Sequence, residues 1–320
     1  MEILTLSGVG IDGVAACLPS CAIQNDERIA KATGILARRR AAAGTTVVDL
    51  CVAAAERLMD DTGTKPEEIG AVVFVSFTQH HRMPCAAVQS QARLGLANGV
   101  IAFDVTLACS GWGYGLYLAA LLARQTGKKT LLLDGDVQSE FMKDGDAATE
   151  PLLADGGTAT IVSPSDTTGA WRFAFVADGA KGDALKLEHG GTITMDGFAV
   201  FRFVATDVVR ALNDFLSRTE LTPASFDAFV PHQPNVYMVR QLAKSVGFDA
   251  DKTVVSCDTI GNLSSASVST ALAQHLLSRK GRSGRSAVLF AGFGGGLSVS
   301  IGSLELPETC KAAVFDYPQK

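Results

Sequence analysis

The sequence predicts an α/β fold built as two related halves, each a sheet covered by helices on both faces. Three observations predict it. Short apolar runs recur without polar alternation, as strands buried on both faces require. Helix-like runs separate them, the pattern of sheets packed between helices. The order of signals in the first half then repeats in the second, which marks an internal duplication.

The N-terminus reads as a strand rather than a secretory leader. Glu2 and Asp12 stand where a basic region would be, and Gly8, Gly10 and Gly13 interrupt any helical core. A helix is expected over 46–61, then Lys65-Pro66-Glu67-Glu68-Ile69 and a strand over 71–77. The apolar run 100–105 forms a strand and 111–123 a helix. Gly127-Lys128-Lys129 leads into a strand at 130–133, and Ala154-Asp155-Gly156-Gly157-Thr158 into one ending at Val162. The second half echoes this plan. A helix over 205–218 precedes Thr222-Pro223-Ala224-Ser225-Phe226 and a strand at 228–230. Gly284-Arg285-Ser286 precedes a strand at 287–291, and Gly292-Phe293-Gly294-Gly295-Gly296 one ending at Leu306. The polar stretch 163–170 is the expected seam, so the halves are placed at 1–165 and 166–320.

The 320 residues are 47% hydrophobic, ample for a large buried core. Net charge is -5, and the only basic tract is Arg38-Arg39-Arg40, read as a solvated or phosphate-facing loop. Nucleic acid is therefore not an expected partner. Seven cysteines without paired metal-ligand spacing argue against a disulfide framework and against zinc, and for a reducing cytoplasm. No uninterrupted apolar stretch reaches the roughly 18 residues of a membrane span.

Cys109, in AFDVTLACSGWGYGL, lies between a strand and a helix. That places its thiol at a helix N-terminus, where the dipole and free N–H groups favour a thiolate. Its neighbours Ala108, Ser110, Gly111, Gly113 and Gly115 are small, which lets a substrate and a facing backbone approach. On its residues alone the position fits a buried structural cysteine equally well; Cys17, Cys51 and Cys85 are read that way. His232 ends a strand in FVPHQPN, where a satisfied turn histidine is the plainer use. Asn262, in IGNLSSAS, follows Gly261 in a pairing common in turns and caps. A thiolate, an imidazole and an amide at chain turns are nonetheless the parts that acyl-thioester chemistry needs. The glycine run 292–296 leads into a strand, not a helix, so it reads as a tight turn presenting a backbone N–H rather than a phosphate loop.

Read in order, AFDVTLACSGW, PHQPN, IGNLSSASVSTAL and GFGGGLSVSIGSLEL resemble the active-site blocks of the β-ketoacyl-ACP synthase III family. SFTQHHRMPCAAVQSQARLGL and LLADGGTATIV match it as well, so the resemblance spans essentially the whole chain. It implies a thiolase fold, with two duplicated halves in a five-layered αβαβα arrangement. It implies a decarboxylating Claisen condensation of an acyl thioester with a malonyl thioester. Cys109 would carry the acyl group. His232 and Asn262 would stabilise the enolate left by decarboxylation, and the N–H groups of Cys109 and Gly295 would form the oxyanion hole. Coenzyme A or phosphopantetheine thioesters would be substrates, with no metal or redox cofactor. A homodimer is implied, with the Met83 loop reaching into the partner's acyl pocket, and an acyl carrier protein as the other partner.

The sequence departs from the family at the coenzyme end. The family's W-I-x-x-R-T-G-I block reads Arg28-Ile29-Ala30-Lys31-Ala32-Thr33-Gly34-Ile35, so the adenine-stacking Trp is Arg28 and the Arg is Ala32. A second adenine-facing Arg before LLAD has no counterpart in 144–150. The Arg beyond the HQxN motif, at the carrier-protein entrance, is Tyr237; Arg240 and Lys244 on the same helix are the replacements. Met83 stands where the family usually has Phe, a flexible, adaptable side chain that points to a non-acetyl chain. These changes point away from acetyl-CoA priming. Two alternatives accompany the condensing reading: an acyltransferase forming an ester or amide without decarboxylation, and a non-catalytic subunit that shapes a sister protein. The intact Cys, His and Asn favour condensation. A papain-like protease lacks its local Cys signature here.

Overall fold

Apolar runs become strands close to where the sequence places them, and glycine or capping residues end the helices between them. The computed structural model describes residues 1–166, 169–281 and 283–318. The chain opens with β1 (Leu4–Leu6) and β2 (Val9–Leu18), then β3 (Cys21–Gln24), α1 (Glu27–Thr33) and β4 (Ala37–Arg40). Next come α2 (Val47–Thr62), β5 (Ile69–Val75), α3 (Ala86–Arg93), β6 (Ile101–Val105), α4 (Gly111–Thr126), β7 (Lys129–Asp136) and β8 (Gly156–Pro164). The second half runs β9 (Trp171–Ala177), β10 (Leu185–Leu187), β11 (Ile193–Met195), α5 (Gly197–Phe203), α6 (Val209–Thr219), β12 (Ala228–Pro231), α7 (Val236–Ser245), α8 (Cys257–Ile260) and α9 (Ala266–Ser278). It closes with β13 (Ser286–Gly294), β14 (Ser298–Leu306) and β15 (Lys311–Asp316). Residues 167 and 168 of the expected seam lie outside the described residues.

The duplication is visible in the hydrogen-bond pattern. One sheet runs β15-β2-β8-β7-β5-β6 and the other β1-β9-β14-β13-β12. Within them β2-β8-β7-β5 and β9-β14-β13-β12 share both order and direction: two antiparallel pairings, then a parallel one. The terminal strands cross between the halves. β1 pairs with β9 in the second sheet, and β15 pairs with β2 in the first.

α2 covers the outer face of the first sheet on β2, β7 and β8, and α6 packs on β14 of the second. Between the sheets lie α4, against β5, β7, β13 and β14, and α9, against β2, β15, β12 and β13. The result is the five-layered αβαβα arrangement. α4 is the centre of the core: Trp112, Leu116, Ala119, Ala120 and Ala123 are buried there. Trp112 meets Phe290 edge-on at 5.0 Å and donates to Thr160 Oγ1 at 3.3 Å, so its polar end is satisfied. Gly113 and Gly115 have a different use from the one expected. A Cβ at Gly115 would lie 2.7 Å from Leu132 Cδ1 and from Val75 Cγ2, and one at Gly113 would lie 2.6 Å from Ser300 Cβ. These glycines let α4 fit between the sheets; they do not open space for substrate.

Two further expectations are corrected. The helix expected over 205–218 begins at Gly197, where Asp196 Oδ1 accepts from the N–H groups of Phe198 and Ala199. It passes through a π-helical turn at Val204–Val208 into α6. Arg38-Arg39-Arg40 is not a solvated loop but part of β4, paired with β3. Arg38 is buried and donates to the Glu150 carbonyl, while Arg39 donates to Pro19 O and pairs with Asp316 at 2.7 Å.

Candidate active site

Cys109 sits two residues ahead of α4 and is 7% exposed. Its turn is pinned to β14: Ser110 Oγ and Ser298 Oγ share a hydrogen bond of 2.7 Å, and Ser300 Oγ donates to Ser110 O at 2.8 Å. The backbone before β14 comes just as close, since a Cβ at Gly294 would lie 2.7 Å from Cys109 Cβ and 3.0 Å from Sγ. Only glycine fits there. The N–H groups of Cys109 and Gly295 both point at Sγ, and Ser264 Oγ lies 4.0 Å from it. The expected thiolate is corrected. Burial pushes the Cys109 thiol up to about 12, outweighing the Ser264 and N–H hydrogen bonds, with Asp136 adding to the rise. The helix start supplies donors, but enclosure keeps the resting thiol protonated.

His232 follows β12 directly, and its N–H donates to Ala291 O at 2.7 Å. The next residue locks the turn: Gln233 Nε2 donates to Pro231 O and Val254 O, and Oε1 accepts from Ser256 N. Asn235 Oδ1 caps α7 by accepting from Met238 N at 2.9 Å. In PHQPN, therefore, Gln233 and Asn235 hold the turn and the start of α7, while His232, Pro234 and Asn235 line the cavity. The His232 ring meets Phe293 edge-on at 5.3 Å, and among the described residues the buried Nδ1 has no hydrogen-bond partner. Desolvation lowers its pKa to about 3, against a smaller opposing effect of the Ser264 backbone. The imidazole is neutral at ordinary pH, so it donates a hydrogen bond through N–H and carries no charge.

Asn262 is fixed from both sides. Its N–H donates to Leu152 O at 2.8 Å, and its O accepts from Ala154 N and from Gln138 Nε2. Oδ1 accepts from Ser264 N at 2.9 Å and Ser267 Oγ at 3.4 Å. The bond from the Ser264 N–H demands an acceptor, which assigns the amide and leaves Nδ2 as the group that can donate to a ligand.

These three side chains, from both halves, meet in one cavity of about 740 Å³ together with Gly295. Its walls are mainly apolar, among them Phe77, Leu107, Leu187, Ile193, Met195 and Phe203. Ala32 of α1 and Tyr237 of α7 also line it. The two helices are tied together by Tyr237 OH, which donates to Lys31 O at 2.9 Å. Arg28 is exposed on α1, and Arg240 and Lys244 are exposed on α7. Arg28 and Met83 lie outside the cavity lining of the single chain, and Met83 is 86% exposed. Among the described residues no group of three or more His, Cys, Asp or Glu could hold a metal ion, and no helix is long and apolar enough to cross a membrane.

Sequence reasoning missed Gln138, Ser264 and two buried carboxylates. Asp134 and Asp136 end β7 with no exposure, held up at about 7 and about 6 mainly by desolvation. The signal was present in LLLDGD, two acids closing an apolar strand.

Two family models match, described as 3-oxoacyl-[acyl-carrier-protein (ACP)] synthase III over residues 103–179 and its C-terminal part over residues 216–306. The chain is 34% identical over 284 residues to the beta-ketoacyl-[acyl-carrier-protein] synthase III of Serratia proteamaculans, covering 86% of this chain and 89% of that one. The chain belongs to the β-ketoacyl-ACP synthase III family. Its structure is similar to the 3-oxoacyl-(acyl-carrier protein) synthase of Burkholderia xenovorans, with a TM-score of 0.94, 30% identity and 99% of both chains covered. It is also similar to the priming β-ketosynthase of a polyketide biosynthetic pathway, at a TM-score of 0.84 and 30% identity over 93% of this chain and 96% of that one. The thiolase fold of this synthase III family is thus the fold of this chain.

Proposed function

We propose that this protein condenses an acyl thioester with a malonyl thioester, releasing CO2 and giving a 3-oxoacyl thioester. The observation that carries the reading is the convergence of Cys109, His232 and Asn262, from both halves, on one apolar cavity with two N–H groups at the thiol. Sγ of Cys109 attacks the acyl thioester and expels its thiol. The Cys109 and Gly295 N–H groups stabilise the tetrahedral oxyanion. The malonyl thioester then takes the same cavity, its carbonyl oxygen against Asn262 Nδ2 and the His232 N–H. Loss of CO2 leaves an enolate on that oxygen, which two neutral donors stabilise without first forming an ion pair. The enolate carbon attacks the acyl group, and Cys109 leaves. The free Nδ2 of Asn262 favours condensation over acyl transfer without decarboxylation.

In this reading 1–165 carries the nucleophile and 166–320 carries His232 and Asn262, with terminal strands exchanged. Arg28, Arg240 and Lys244 put positive charge on α1 and α7 near Tyr237, which suits an acyl carrier protein or a coenzyme phosphate. The absence of the family's Trp and both Arg contacts, with an apolar cavity of this size, supports a primer longer than acetyl. β6 is an edge strand with Ile101 43% exposed, an edge that a second copy would cover as a homodimer, with Met83 reaching across. Free cysteines throughout suit the cytoplasm. The test is single-turnover condensation with malonyl-ACP and a panel of acyl-CoA and acyl-ACP primers. Release of CO2 with a 3-oxoacyl product is expected; acyl transfer without CO2 release would overturn the reading.

A further inference from the structure

One buried carboxylate stands directly behind the site without a part in the chemistry above. Asp136 Oδ1 accepts from Ser76 Oγ at 2.8 Å, Thr78 Oγ1 at 3.0 Å, Phe77 N at 2.9 Å and Thr78 N at 3.3 Å. Oδ2 accepts from Ser265 Oγ at 3.4 Å, and the neighbouring Ser264 hydroxyl stands close enough to the same carboxylate to favour its charged form. Among the described residues no cationic side chain is a hydrogen-bond partner of Asp136. Among the described residues, Asp134, Cys51 and Cys109 feel its charge. A fully buried acid surrounded by hydroxyls and lacking a counter-cation is costly as a structural device, and well suited to taking up a proton.

Ser264 connects it to the thiol. The Cys109 Sγ–H donates to Ser264 Oγ at 4.0 Å, the one side-chain hydrogen bond the thiol makes among the described residues. Ser264 holds φ at 54°, a left-handed conformation that a non-glycine residue keeps only when its surroundings fix it. Asn262 does so by accepting the Ser264 N–H. The amide that binds substrate thus also aims the hydroxyl at the nucleophile.

We propose that Ser264 and Asp136 form a proton relay for Cys109. As the S–C bond to the acyl group forms, the Sγ proton passes to Ser264 Oγ while the Ser264 proton passes to an Asp136 oxygen. The expelled thiolate takes its proton from solvent. Asp136 stays protonated while Cys109 is acylated. When the enolate carbon displaces Cys109, the departing sulfur recovers a proton from Ser264, which recovers its own from Asp136. Charge and protons then return to the starting state. Ser264 touches the reacting sulfur; Asp136, acting through it, is a positioning residue. The proposal rests on Cys109 as acyl carrier.

The alternative, a carboxylate that is only a neighbouring charge, predicts the opposite sign. Its field opposes ionisation of Cys109, so Asp136→Asn would then speed thiol chemistry. The experiment is the rate of Cys109 alkylation by iodoacetamide at pH 7, read by peptide mass, in wild type, Asp136→Asn, Ser264→Ala and Ser264→Gly. The glycine variant tolerates φ 54° and serves if alanine disturbs the turn. The relay predicts alkylation at least about tenfold slower in all folded variants, with a normal D2O effect in wild type that the variants lose. Unchanged or faster alkylation overturns it. A parallel acylation by acyl-CoA separates the two readings: a wild type that takes no acyl group on Cys109 refutes the carrier role, while alkylation still judges the relay.

Discussion

The two halves of the molecule share four strands in the same order and direction, yet their strand ends carry opposite chemistry. In the first half, β5 is followed by Ser76 and Thr78, and β7 ends in Asp134 and Asp136. In the second, the equivalent β12 is followed by His232, and the equivalent β13 ends in Gly292-Phe293-Gly294. The turn leading into the helix before each hairpin carries Cys109 in one half and Asn262 in the other, ahead of α4 and α9. Duplication therefore supplied one scaffold twice, and Cys109 and Asn262 occupy corresponding turns, while His232 corresponds to Ser76 after β5. On the proposed mechanism the first half contributes nucleophile and buried acid; the second contributes neutral donors and a glycine backbone that approaches the thiol.

The division of labour is broken most strongly at the second half's donors. Asn262→Ala or His232→Ala is expected to slow malonyl decarboxylation about 10²–10³-fold, the usual effect of losing one such donor, while acyl transfer to Cys109 falls far less. Equal losses in both half-reactions would show that the two turns do not divide the work. Because burial keeps His232 neutral with its pKa near 3, decarboxylation should show no histidine-like transition between about pH 5 and 8. A step near 6.5 would mean that the ring ionises in the working enzyme.

Substrate choice gives the next effect. With Ala32 at the cavity and no arginine in 144–150, acetyl-CoA should trail a medium-chain acyl-CoA or acyl-ACP in kcat/KM by about one to two orders of magnitude, or about 1.4–2.8 kcal/mol. Acetyl-CoA as the best primer would reverse this.

Smaller again is Gly294→Ala. Its Cβ would crowd Cys109, so the turn must shift, at a cost of about 1–3 kcal/mol in stability and with slower acylation. Unchanged stability and rate would show that the contact is loose. The buried acids of the first half give the gentlest test. Asp134 is raised to about 7 in the folded chain, so the folded state binds more protons than the unfolded one between about pH 4 and 7. Its contribution is fully present below the unfolded value near 4 and is lost as pH rises through 7. Asp134→Asn should therefore gain on the wild type as pH rises over that window, by at most about 1.4 kcal/mol per pH unit, in denaturant melts. A constant difference across pH would contradict the burial of this acid.

Much of this was legible in the sequence, because strand and helix signals depend on local patterning. The duplicated plan, the strand before Cys109 and the helix after it follow from apolar runs and glycine punctuation. The blocks around Cys109, His232 and Asn262 identified the residues that meet. Their meeting was not legible from spacing, since it arises from the packing of α4 and α9 between the sheets. Nor was the state of the thiol: a helix N-terminus is a local feature, whereas desolvation is set by β14 and the Gly294 turn closing over it. Asp136 escaped notice because its use depends on Ser264, which lies far away along the chain. Arg38 reads as solvated until β3 pairs with its strand.

The central claim is that Cys109 carries the acyl group. Purified protein is incubated with medium-chain acyl-CoA and acyl-ACP, weighed intact and mapped by peptide mass. One acyl group per chain on the Cys109 peptide, absent in Cys109→Ser, is the expected result. An adduct on Cys85 or Cys257, or one that persists in Cys109→Ser, would contradict it.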